Sequence, residues 1–172
     1  ASKRAMEKTI EKARQYGIAW SAVRNSNHYG IAAYYAMMAL PHDLIGFCST
    51  NATRLAVATF GKQKVAGTNP IAVAIPTHEE PPFVLDMATT GVTFGRLEVS
   101  ERKGKQLKPG WAVDAEGRET LDPLAAKEGG AILPLGGLGT ENGGHKGYGL
   151  MALVEILCAV LSGGPFGNML NL

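Results

Sequence analysis

A chain of 172 residues is long enough for one domain with a real core, and its 45% apolar content is that of a globular protein. The formal net charge is only +2, and no lysine/arginine run is long enough to track a phosphate backbone, so nucleic acid is not expected as a partner. The longest apolar run, 150–161, carries Glu155 and is too short to span a bilayer, so no membrane partner is expected either.

Cys48 and Cys158 sit in apolar runs without CxxC spacing. They read as small buried hydrophobes of a reducing compartment, and a cytoplasmic location is expected. Both ends read as cut. Ala1-Ser2-Lys3 is at once in a helical pattern, and the chain stops on Met169-Leu170-Asn171-Leu172. Residues 1–172 are therefore expected to form a single core within a longer polypeptide.

Ser2 is placed to cap a helix over 3–16, with Ala5, Ile10 and Ala13 on its apolar side and Gly17 at its end. The stretch 18–23 predicts a first strand. It leads into the polar loop Arg24-Asn25-Ser26-Asn27-His28-Tyr29-Gly30, and a helix follows until Pro41. His28 at the loop apex has two readings. It presents an ionisable imidazole to a small molecule, or it is a surface histidine in a turn whose Asn and Ser residues cap the helix.

Residues 44–49 predict a buried strand ending in the polar loop Thr50-Asn51-Ala52-Thr53-Arg54, at the carboxyl end where α/β sheets place ligands. Gly67-Thr68-Asn69-Pro70 closes a second loop. Residues 71–75 and 83–86 predict two more strands, the latter ending in Asp86, which either holds a ribose hydroxyl or caps the following turn. Helical spacing runs over 92–103. Pro109-Gly110 starts a turn and a short strand, Asp114-Ala115-Glu116-Gly117 a turn, and Asp122-Pro123 a helix. After the short apolar segment 131–135 comes the glycine-rich stretch 136–149, then a helix over 148–161 ended by Gly163. Several links are too short for right-handed crossovers, so the pattern predicts an α/β protein with a mixed sheet flanked by helices.

The 136–149 stretch reads as a phosphate site, with backbone N–H groups, a helix N-terminus and Lys146 converging, or as a flexible surface loop. It is not a P-loop, because His145 stands where the lysine belongs, and the GxGxxG spacing of a Rossmann fingerprint fails. The histidines at 28, 42, 78 and 145 lack metal-ligand spacing, and no serine has a glycine-framed nucleophile turn. Glu155, inside an apolar helix, reads as a buried paired charge or a flank residue.

Taken in order, Asn25-Ser26-Asn27-His28-Tyr29-Gly30, Gly67-Thr68-Asn69-Pro70, Leu85-Asp86-Met87-Ala88-Thr89, Gly110-Trp111 with Asp114 and Gly117, and Gly144-His145-Lys146-Gly147-Tyr148-Gly149-Leu150 form a pattern. It resembles the type 2 malate/L-lactate dehydrogenase family, which includes sulfolactate and ureidoglycolate dehydrogenases. The resemblance runs from about residue 15 to 167. It implies a non-Rossmann nicotinamide-binding fold with a largely antiparallel mixed sheet, NAD or NADP as cofactor, a small 2-hydroxy or 2-keto acid as substrate, and a homodimer. Carried over, it implies His28 as the catalytic acid/base or carbonyl-orienting group. Asn27, Thr68 and Asn69 are implied on the substrate side. Asn51, Asp86, Met87, Ala88, His145, Lys146 and Gly147 are implied on the cofactor. The alternatives are a non-catalytic nucleotide- or anion-binding module and a truncated, inactive dehydrogenase.

Overall fold

The computed structural model describes residues 1–170; Asn171 and Leu172, the end of the apolar C-terminal run, lie outside the described residues. The elements in chain order are α1 (Ser2–Tyr16), α2 (Ala32–Met37), β1 (Gly46–Ser49), β2 (Ala56–Val57), β3 (Lys64–Ala66), β4 (Ile71–Ile75), β5 (Phe83–Met87), α3 (Phe94–Arg102), β6 (Ala112–Val113), α4 (Pro123–Lys127), β7 (Ala131–Ile132) and α5 (Gly144–Glu155). The helix of α5 continues as a π turn over Ile156–Val160.

The strands form two sheets. One is antiparallel, in the order β1-β4-β5. The other is mixed, in the order β3-β2-β7-β6, with β2 and β7 parallel and the other pairs antiparallel. The expected mixed, largely antiparallel α/β architecture is thus present.

In the first sheet β4 reads Ile-Ala-Val-Ala-Ile, and its small residues Ala72 and Ala74 face α2, where Ala32, Ala33 and Ala36 pack on them. Alanine on both surfaces lets helix and sheet approach closely. The contact is tight enough that a Cβ on Gly46 would fall 1.9 Å from the Ala36 carbonyl oxygen. The second sheet carries the larger core. Leu97 of α3, Ile132 of β7 and Met151 of α5 are fully buried there with Ala56, Ala112 and Ala126. Each of the three large side chains contributes about 1.5–3 kcal/mol by leaving water. Through Met151, α5 belongs to this core.

Three expectations need correction. Residues 18–23 form no strand, and Ile18 stays 83% exposed. Among the described residues the segment has no sheet partner, and β-type side chains without a partner edge make no ladder. Ser2 is the first residue of α1 and not its cap, which is Ala1. The last helix starts at Gly144, not Tyr148. Its first turn is glycine-rich because the backbone is pressed against the preceding loop: a Cβ on Gly144 would lie 2.0 Å from the Gly137 oxygen, and one on Gly147 2.1 Å from the Leu135 oxygen. The backbone is thus close-packed at Gly136, Gly137, Gly144 and Gly147, while Leu138 and 140–142 between them lie at the surface. The Asp122 start holds as read, its carboxylate accepting the Leu124 N–H at 2.9 Å. The Asp114 turn holds as well, its carboxylate accepting the N–H groups of Glu116 and Arg118.

Candidate functional site

Register brings most of the expected site residues to one end of the first sheet. Ser49, the last residue of β1, lies opposite Ile71, the first of β4, and Ile71 lies opposite Met87, the last of β5. The loops carrying Asn51, Thr68 with Asn69, and Ala88 with Thr89 therefore emerge together. Thr89 stitches two of them: its N–H donates to the Thr68 carbonyl at 2.9 Å, and its hydroxyl lies 3.1 Å from the carbonyls of both Thr68 and Asn69.

Asn69 is the hub. It is fully buried and sits at φ 38°, in the left-handed region that non-glycine residues seldom occupy. Its Oδ1 accepts the Ala52 N–H at 3.1 Å. Its Nδ2 donates to the Met151 carbonyl at 3.2 Å and to Glu155 Oε1 at 3.0 Å. One amide thus joins the loop after β1, the loop before β4, and the C-terminal half of α5. Both its N–H groups are spent inside the protein.

The histidine loop reaches the same end by way of α2. Asp86 pairs with Ala72 in the sheet and so faces α2, where its Oδ2 accepts the Ala33 N–H at 2.9 Å. The first turn of α2 is capped from 53 residues away, not by its own Asn and Ser loop. Tyr35 donates to the Tyr29 carbonyl at 2.7 Å, and the two rings meet at a tilt of 58° with centroids 4.9 Å apart. The Tyr29 hydroxyl lies 3.5 Å from Cys48 Sγ; burial, reinforced by Cys48, pushes this phenol well above its ordinary range and keeps it neutral. Asn27 and His28 stand exposed on the loop so held. The Gly30 N–H donates to His28 Nδ1 at 3.2 Å, which assigns the proton of the neutral ring to Nε2.

Between the 17–26 segment, α1 and β1 lies a cavity of about 760 Å³. Apolar side chains such as Ile10, Trp20 and Phe47 form its body; Ser26, Tyr29, Thr50 and Asn51 form its polar end, and Cys48 and Cys158 also face it. Burial pushes both thiols up, so they stay protonated and unreactive. Asn51 donates to the Pro165 carbonyl at 3.3 Å. The carboxyl of Glu155 lies behind Asn51 and Asn69, and burial pushes it above the usual carboxylate range.

His145, Lys146 and Gly147 are not part of this gathering. They form the first turn of α5, with His145 and Lys146 exposed and Gly147 buried. Lys146 lies nine residues before Glu155, about 14 Å along the helix axis. Among the described residues no group of three His, Cys, Asp or Glu side chains could hold a metal ion, and no helix is long and apolar enough to cross a membrane.

Sequence reasoning did not foresee the Asn69–Glu155 bond, the Asp86 cap on α2, or the Tyr35 and Tyr29 brace. Only Glu155 carried a signal, a lone carboxylate inside an apolar helix.

The fold is that of a dehydrogenase class built without a Rossmann unit. It superposes on malate dehydrogenase from Entamoeba histolytica with a TM-score of 0.89 at 40% identity, covering 97% of this chain and 48% of that one. It superposes on sulfolactate dehydrogenase from Methanocaldococcus jannaschii with a TM-score of 0.87 at 39% identity, covering 99% and 48%. Residues 1–171 match the malate/L-lactate dehydrogenase family, and the chain belongs to it. In sequence it is 52% identical over 165 residues to malate dehydrogenase of Pyrococcus abyssi, covering 96% of this chain and 45% of the relative. It is 45% identical over 166 residues to L-sulfolactate dehydrogenase of Methanothermobacter thermautotrophicus, covering 96% and 46%. The chain spans a little under half the length of the curated relatives it matches.

Proposed function

We propose that the protein containing this chain is an NAD(P)-dependent oxidoreductase of the malate/L-lactate type, interconverting a 2-hydroxy acid and a 2-keto acid, cytoplasmic and homodimeric. The observation that carries the reading is the convergence of the His28 loop, Asn51, Thr68, Asn69, Asp86, Met87 and Ala88 at one sheet end.

The residues fit a nicotinamide cofactor. A largely apolar cavity with a polar end suits a flat heterocycle bearing an amide. The first turn of α5, a helix N-terminus carrying an exposed Lys146, suits phosphate. An extended dinucleotide is long enough to engage both ends of α5. When bound, the cofactor supplies hydride chemistry, which the protein only has to orient.

The chain's own residues would do the rest. His28 would protonate the developing alkoxide in reduction as an imidazolium and accept the hydroxyl proton in oxidation as a neutral imidazole, or, as the neutral ring with its proton on Nε2, orient the carbonyl. Asn27 and Thr68 would bind the acid substrate, with Asn69 holding the loop geometry through its buried amide. Asn51, Asp86, Met87 and Ala88 would line the nicotinamide half, and His145, Lys146 and Gly147 the phosphate half. Malate and L-sulfolactate, the substrates named for the relatives, both carry a second anionic group, so a dianionic acid is favoured over lactate.

The test is a fluorescence titration of the whole protein with NADH and NADPH, followed by addition of oxaloacetate or pyruvate. Cofactor binding with keto-acid-dependent oxidation is expected. ATP binding without NAD(P)H binding would leave only an anion-binding module, and NAD(P)H binding without turnover an inactive dehydrogenase.

A further inference from the structure

Glu155 is a half-buried carboxyl, with Oε2 itself buried, for which the reaction outlined above has no use. It sits at the last turn of α5, and Oε1 accepts the Asn69 amide at 3.0 Å. Oε2 is buried and has no hydrogen-bond partner among the described residues, although the Asn51 side chain stands beside the carboxyl. We propose that Glu155 is the positioning residue of this site: its carboxyl clamps Asn69, and through Asn69 it fixes the Asn51 and Thr68 loops against α5. The proposal rests on the oxidoreductase reading only for its effect on the cofactor; the clamp itself is local.

The geometry requires a clamp. Asn69 holds an unfavourable left-handed backbone, so its side-chain bonds must offset that cost. All its partners lie on other elements: Ala52 on one loop, Met151 and Glu155 on α5. Removing the Glu155 acceptor leaves one N–H of a fully buried amide unpaired, where water does not replace it. The least costly relief is for the 67–70 loop to leave its left-handed turn, and Thr89, bonded to the Thr68 and Asn69 carbonyls, moves with it.

What Asn69 needs from this position is an acceptor, which the Glu155 carboxyl supplies at 3.0 Å. Burial pushes the carboxyl up from its ordinary value. Glutamine offers the same acceptor and a donor in the same shape; leucine offers neither. Charge is therefore dispensable at this position and hydrogen-bonding capacity is not.

The experiment compares Glu155→Gln and Glu155→Leu in the full-length protein. Two readouts are taken: amide hydrogen exchange of residues 50–54 and 67–70 without cofactor, and the KM for NADH or NADPH against kcat with oxaloacetate. Glu155→Leu should speed exchange in both loops and raise the cofactor KM roughly tenfold, with a smaller effect on kcat. Glu155→Gln should restore both readouts to within about twofold of the parent. Asn69→Gly keeps the left-handed backbone and deletes the amide; it should reproduce the leucine result and serves if Glu155→Leu does not fold. Parent-like exchange in Glu155→Leu and Asn69→Gly would overturn the clamp. A glutamine variant as impaired as the leucine one would overturn the reading that an uncharged acceptor suffices here. If the parent protein neither binds nor oxidises NAD(P)H, the oxidoreductase reading fails, while the exchange data still decide the clamp.

Discussion

Replacing Asp86 by alanine separates two roles that meet in one carboxylate. Its Oδ2 accepts the Ala33 N–H at 2.9 Å, one of the orphan donors in the first turn of α2. Deleting a helix cap of this kind costs about 0.5–2 kcal/mol, and losing a negative charge at a helix N-terminus costs about 0.3–1 kcal/mol more. Because Asp86 is exposed and water can partly replace it, Asp86→Ala should lie at the low end of the sum, about 1 kcal/mol. For a chain of this size that is a fall of ~2–4 °C in melting temperature. Asp86→Asn keeps an acceptor on the same atoms and should lose only the charge contribution, under about 1 kcal/mol. Urea denaturation of both variants measures these differences, and NADH fluorescence on the same samples measures affinity. Stability unchanged in Asp86→Ala would refute the cap. Stability kept in Asp86→Asn with affinity lost equally in both variants would make the charge a cofactor contact.

Lys146→Ala should weaken NAD(P)H binding by about 1–3 kcal/mol if the lysine meets a phosphate, and the loss should shrink as salt is added; unchanged affinity in the fluorescence titration would remove that role. His28→Ala in the full-length protein should lower kcat far more than cofactor affinity, and intact turnover would leave His28 a loop residue only. The raised Glu155 group has a definite sign. A folded state that holds the proton more tightly than the unfolded chain is favoured at low pH, and that advantage is lost as pH rises from the ordinary glutamate value, about 4.3, through the raised folded value. Thermal melts across that window should show the parent losing stability relative to Glu155→Gln as pH rises; parallel curves would mean that folding does not raise this group.

Local rules were sufficient where an element's own residues decide its state. The alternation in 71–75, the Asp122-Pro123 start, the Gly17 stop and the Asp114 turn depend on neighbours within a few residues, and all four stand where the sequence puts them. Ordered motifs also sufficed to assign the family, because their residues carry information whether or not their partners are known. Local rules failed at 18–23, because strand formation needs an edge to pair with and the residues themselves do not say whether one is present. They failed at Gly144, where low helix propensity is overridden by a backbone contact too close for any side chain.

The site was legible as a set of residues and not as an arrangement. The ordered motifs, and the family they resemble, made His28, Asn51, Asn69, Asp86 and Lys146 worth naming. The tertiary structure alone decided that Asp86 caps a helix 53 residues away, that Asn69 spends its amide inside the protein, and that Lys146 stands at the far end of α5 from Glu155. Each of these is a contact between segments distant in sequence. A donor and an acceptor find each other only after strand register and helix packing have set the distance between them, and no periodicity along the chain encodes that distance.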